Sequence, residues 1–198
     1  MVLGNIATRE RWIEVYRHEA GHLVMARLMG FKALGLVFPK GEAGANIDTT
    51  EHLPTIPKVD SWVRRRLMVL YAGVCAELLA KGTVDVSMPA LQKIFDDTGA
   101  DDARKIGDLL LFLRSLHYPV AGTDQRQKEL HHIAGKIIAD CKLQVEALAD
   151  EIVQLGDAMF QFCKGHLPFS EQQMDALPFM ARVQPLTYTV IPFLPVST

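Results

Sequence analysis

The stretch 16–30 reads YRHEAGHLVMARLMG, and it decides the fold. It contains His18-Glu19-Ala20-Gly21-His22, a complete H-E-x-x-H. Two histidines four residues apart on a helix lie on one face, one above the other. Both imidazoles can therefore reach one zinc ion from the same side, and Glu19, beside the first, can address a water held there. From Ala20 to Met29 only His22 and Arg27 are polar, the pattern of a buried helix. Gly21 in mid-helix costs about 1 kcal/mol relative to alanine, and close approach of another backbone is the expected reason. The pattern predicts a helix over 8–29, capped by Thr8 and stopped by Gly30.

The 198 residues allow one large domain or a domain with a small appendage. A formal net charge of -2 gives no basic excess for nucleic acid and no acidic tail for a charged partner. Cys75, Cys141 and Cys163 are odd in number and contain no C-x-x-C pair, so they read as small buried apolar residues in a reducing compartment. The first residues carry no apolar signal core, and the longest apolar run, within 67–80, is interrupted by Glu77 and short of a membrane span. A soluble, cytoplasmic protein is expected.

Outward from the first helix, 33–38 (ALGLVF) reads as a strand, with 44–50 as its partner. The two prolines in 51–58 predict a loop. Asp60 or Ser61 is expected to cap a largely buried helix over 62–81, with Arg64, Arg65 and Arg66 as its solvated start. Ser87 and Pro89 open a short helix to about 95. A further helix is expected over 102–116, then a long helical pattern over 125–155, capped by Thr123 or Asp124, broken near Gly135 and ended by Gly156. Ser170 with Gln173 forms a capping box. The expected architecture is mainly α with a small β element. A domain over 1–178 is expected, with a Pro-rich arm or tail over 179–198.

A catalytic zinc site needs three protein ligands and an open position. Candidates for the third are His52, Glu77, Asp96, Asp97, Asp101, Asp102, His117, His131, His132 and His166. Adjacent His131 and His132 diverge by about 100° on a helix and read as surface residues. A close downstream histidine of the H-E-x-x-H-x-x-G-x-x-H type is absent. Glu77 on the next helix, or the Asp101-Asp102 pair at the start of a later one, would serve.

Here the chain resembles a known family. The stretch 16–22 (YRHEAGH) followed by Ala26-Arg27-Leu28 is similar to the HEAGH helix of the M41 peptidases, the FtsH-type zinc proteases. The stretch 71–77 (YAGVCAE) resembles the family's L-G-G-x-x-A-E-E helix, and 98–102 (TGADD) resembles T-G-A-S-N-D, whose final Asp ligates zinc. The stretch 145–150 (VEALAD) resembles part of the family's last long helix. The family motif is one residue longer before its Asp, which leaves Asp101 and Asp102 both open. Register separates them. The family places apolar residues one, four, seven and eight positions after the ligand. From Asp102 these are Ala103, Ile106, Leu109 and Leu110; from Asp101 three of the four are charged. The resemblance thus implies His18, His22 and Asp102 as zinc ligands, Asp101 as an N-cap and Glu77 as support beside the site.

The implied fold is a zincin-like M41 peptidase domain with the H-E-x-x-H on a buried central helix. The implied activity is zinc-dependent peptide hydrolysis with Glu19 as general base. The 33–38 strand is expected to pair with an extended substrate along its edge. No G-x-x-x-x-G-K-[ST] occurs in these residues, so only the protease domain is resembled, without the ATPase module. That makes a peptide or unfolded protein the expected substrate, and a separate delivery or unfoldase protein a candidate partner. It also leaves a second reading, a non-catalytic M41-like module that binds peptides or a partner and retains zinc. Hydrolysis of a non-peptide amide is a third.

Overall fold

The computed structural model describes residues 3–119, 122–163, 167–190 and 193. It is mainly helical with a small antiparallel sheet. Helix α1 (Leu3–Leu28) leads to strands β1 (Lys32–Val37) and β2 (Gly44–Asp48), then helix α2 (Ile56–Glu77). A hairpin, β3 (Leu79–Ala80) and β4 (Thr83–Val84), precedes helices α3 (Met88–Phe95) and α4 (Ala100–His117). Helices α5 (Thr123–Ala147) and α6 (Ala149–Phe162), strand β5 (Phe169–Ser170) and the short α7 (Glu171–Asp175) follow. No helix among the described residues is long and apolar enough to cross a membrane.

Helices α1 and α2 form the centre, and their contacts run antiparallel. His18 meets Glu77, His22 meets the Val69 carbonyl, and the Met29 carbonyl accepts from Arg65. The close approach expected at Gly21 is present: a Cβ there would lie 2.4 Å from the Ala72 carbonyl oxygen. Only a missing side chain lets the backbones come this near. Gly30, at φ 78°, ends α1, with Phe31 N–H returning to the Ala26 carbonyl at 2.8 Å. Around α2 the core is continuous: Leu67, Met68, Val69, Val74 and Cys75 are fully buried. Helix α5 closes one side through Ile133, Ile137, Cys141 and Val145, and α6 packs Ile152, Leu155 and Met159 beneath α1. All three cysteines are free and buried, as expected.

Several boundaries differ from the sequence expectations. Helix α1 begins at Leu3, so Thr8 lies within it and is not its cap. Helix α2 begins at Ile56, with Thr55 at the cap position and Pro57 in the first turn, where its missing N–H costs nothing. It stops at Glu77, because 79–84 turns back as a hairpin. Asp60 does not cap it; its carboxylate pairs with Arg64 and His117. The three arginines are not a solvated start: Arg64 is buried, and Arg65 reaches the Met29 carbonyl. Gly122 holds the cap position of α5, not Thr123 or Asp124, and the long pattern breaks at Leu148 rather than Gly135. Gly156 does not end α6; it lets the α6 backbone pass close to Arg17. The Ser87–Pro89 start of α3 and the Ser170–Gln173 capping box are both present.

The sheet order is β2-β1-β5. Strand β1 is therefore central, and β5 covers at Gly35 and Leu36 the edge expected to take a peptide; among the described residues the outer edge of β2 has no partner strand. Beyond α7, Met180 and Val183 are buried against the core, and the Leu186 N–H bonds to the Leu28 carbonyl at 2.8 Å.

Candidate metal centre

Helix α1 presents His18 and His22 from one face, and both are buried. Each ring is fixed from behind. His18 Nδ1 lies 2.6 Å from Glu77 Oε1, and His22 Nδ1 lies 2.8 Å from the Val69 carbonyl oxygen. Both partners are acceptors, so both Nδ1 atoms carry the proton and both Nε2 atoms turn forward. The first turn of α4 brings Asp102 to meet them. Its Oδ2 is 2.9 Å from His18 Nε2 and 3.0 Å from His22 Nε2, and the two Nε2 atoms are 2.9 Å apart.

Three lone-pair atoms from residues 80 or more positions apart in part thus form one small buried triangle. Acceptors do not gather without a cation or proton between them. Tetrahedral ligands about 2.0–2.1 Å from zinc would sit about 3.3 Å apart, only a few tenths of an ångström wider than this triangle. The backbone leaves room for it: a Cβ on Gly73 would lie 2.4 Å from His22 Nε2 and 2.7 Å from His18 Nε2. The cluster His18, His22 and Asp102 could hold a metal ion.

The electrostatics match. Burial alone would lower the pKa of His18, but its hydrogen bonds to Asp102 and Glu77 prevail and push it up to about 10. Burial would raise the pKa of Asp102, and the two histidines outweigh it and hold it far below the usual carboxylate range. Thr98 donates its hydroxyl to Glu77 Oε1 at 2.6 Å, so the carboxylate behind His18 is itself oriented.

Glu19 lies beside the triangle and is not part of it. Its Oε2 accepts the Ala45 N–H of β2 at 2.6 Å. The triangle opens onto a cavity of about 350 Å³ lined by Glu19, Ala45, Ile47, Leu70 and Arg66 among others. A second cavity of about 370 Å³ shares His18, Glu19, Glu42 and Thr98 with it and extends towards Trp12. Together they form a groove that passes over the His18–His22–Asp102 cluster alongside β2.

The other ligand candidates fall elsewhere. Asp101 is exposed, lies in the first turn of α4 with Gly99 at the cap position, and pairs with Arg104 and Lys105. It is therefore neither the N-cap nor a member of the cluster. Asp97 pairs with Arg11 and Asp96 accepts from Gln92. His117 pairs with Asp60, and His132 stacks edge-on near Phe193. His166 lies outside the described residues. Sequence reasoning passed over Gly73, Thr98 and Arg66. The first two stand inside the stretches 71–77 and 98–102 already singled out, and their contacts are the signal that assigns them a part.

No family model matches the chain, and no curated protein matches it.

Proposed function

We propose that this chain is a zinc-dependent peptidase domain of the M41 type. The observation that carries the reading is the convergence of His18 Nε2, His22 Nε2 and Asp102 Oδ2, with a carboxylate, Glu19, at the rim of the same cavity. His18, His22 and Asp102 would hold the ion, with Glu77 and the Val69 carbonyl setting the imidazoles. When bound, zinc supplies Lewis acidity towards a water and a peptide carbonyl.

The rest falls to the chain. Glu19 takes a proton from the attacking water and returns it to the leaving amine. Its hydrogen bond from Ala45 fixes one carboxylate oxygen and leaves the other for that transfer. The open edge of β2 aligns an extended peptide by backbone pairing, in place of β1. Burial of the cluster among α1, α2 and α4 keeps the ligands rigid through the reaction.

Two measurements on purified protein test this. Elemental analysis should find about one zinc per chain, and Glu19→Gln should keep the metal while peptide cleavage falls by at least about 10²-fold. A Glu19→Gln protein that cleaves at the wild-type rate would sink the mechanism. Bound zinc with no cleavage of any peptide library would favour the non-catalytic binding module.

A further inference from the structure

The cavity beside the cluster contains one cation that the peptidase reading does not use. Of the three consecutive arginines on α2, Arg64 pairs with Asp60 and Arg65 with Glu51 and the Met29 carbonyl. Arg66 lines the cavity, and its Nη1 is buried with no hydrogen-bond partner. The other cation there, Lys105, is neutralised by Asp101 at 2.5 Å. Neither carboxylate of the site reaches Arg66 Nη1: Asp102 turns its Oδ2 to the two histidines, and Glu19 turns its Oε2 to the Ala45 N–H.

A buried guanidinium nitrogen without an acceptor is costly, and the fork of N–H groups it belongs to fits a carboxylate best. Position gives it a direction. Arg66 precedes Val69, which holds His22, by three residues, and so lies about one helical turn beyond the His22 end of the cluster. The second cavity adjoins His18 and is not lined by Arg66.

We propose that Arg66 anchors a carboxylate of the substrate on the His22 side of the groove. This makes the preferred substrate a peptide with a negative group near the cleaved bond. The cleavage part rests on the peptidase reading; the anion site stands on Arg66 and its cavity. A C-terminal carboxylate and an acidic side chain share this chemistry, and the test separates them.

The experiment uses the full chain carrying Glu19→Gln, zinc-loaded and metal-free, titrated calorimetrically with three N-acetylated tripeptides. One has neutral side chains and a free C-terminus, one is amidated and contains Glu, and one is amidated and contains Gln. One or both carboxylate peptides should bind about 10- to 100-fold more tightly than the neutral amide. The tighter of the two names the source. The preference should persist without metal, which separates Arg66 from simple ligation of the ion. Adding Arg66→Met should abolish it, and Arg66→Lys should retain part. If Arg66→Met does not fold by circular dichroism, the peptide comparison and Arg66→Lys decide alone. Equal affinity for all three peptides, or a preference unchanged in the arginine variants, overturns the proposal. Cleavage by the wild type without any carboxylate preference removes the anchor and leaves the peptidase; carboxylate binding without cleavage does the reverse.

Discussion

His18 shows how much one residue's surroundings dictate. In the metal-free protein its folded pKa of about 10 lies above the ordinary histidine value of 6.5. Protonated His18 therefore contributes stability that is complete below about pH 6.5, shrinks as pH rises, and is gone above about pH 10. Asp102 acts in the opposite sense, since its depressed pKa gives stability that is lost as pH falls below the ordinary aspartate value of 3.8. Chelator-treated protein should thus melt at progressively lower temperature between pH 7 and pH 10, and His18→Gln should flatten that slope. Zinc bound at the cluster, as proposed, would displace the same proton, so calorimetry near pH 7.5 in two buffers of different ionisation enthalpy should find about one proton released per ion bound. A melting temperature independent of pH across that window would refute the assignment. At this scale much of the site was legible. His18, Glu19 and His22 share one motif, and helical register distinguishes Asp102 from Asp101. Arg66 was not legible, because three adjacent arginines look alike in sequence and part only when packing gives two of them acceptors.

Between elements, the α1–α2 contact is the joint that positions everything else, and it turns on Gly21. Alanine there would gain about 1 kcal/mol of helix propensity. Its Cβ, however, would lie 2.4 Å from the Ala72 carbonyl oxygen and 2.7 Å from the Ala76 Cβ, and backbone cannot swing aside as a side-chain tip can. Overpacking at about 3 kcal/mol should win, so Gly21→Ala should lose roughly 2 kcal/mol net and melt some 4–8 °C lower. It should also bind zinc more weakly, because the helices that part carry the ligands and their supports. Gly135 in α5 is the control. A Cβ there meets nothing within 4 Å, so Gly135→Ala should be stabilising by about 0.5–1 kcal/mol. Thermal melts of the two variants decide; a neutral Gly21→Ala would mean that the close approach is not tight. The elements were predicted better than their ends. Periodicity finds the buried faces of α1 and α2, but the break at Leu148 carries no glycine or proline. The pairing of β5 with β1 joins Leu36 to Phe169, a separation no local pattern reports. That pairing covers the expected β1 edge at Gly35 and Leu36, while β2 lines the groove with Ala45 and Ile47.

For the molecule as a whole, the cluster ties the first helix to the fourth, while the rest of the fold is held without it. His22 and Asp102 are 80 residues apart in the chain, and an ion between them would close that long loop. By contrast, α5 and α6 are fastened to α2 and α1 by apolar packing of Ile137, Cys141, Ile152 and Met159, and the buried Arg114–Glu129 pair ties α5 to the last turn of α4. With zinc held there as proposed, its removal should therefore loosen one region rather than unfold the chain. At zinc a hundredfold above its dissociation constant the fold gains about 2.7 kcal/mol, so chelation should lower the melting temperature and leave a cooperative transition. Hydrogen exchange should localise the loss. Amides of the first turns of α4 and of the 96–99 turn should exchange faster on chelation, along with 44–48, whose Ala45 N–H depends on Glu19 beside the site. Amides of α5 and α6 should keep their protection. Uniform loss of protection across all helices would show instead that the metal is required for the whole core to form, and unchanged exchange at α4 would show that Asp102 is held by the histidines alone.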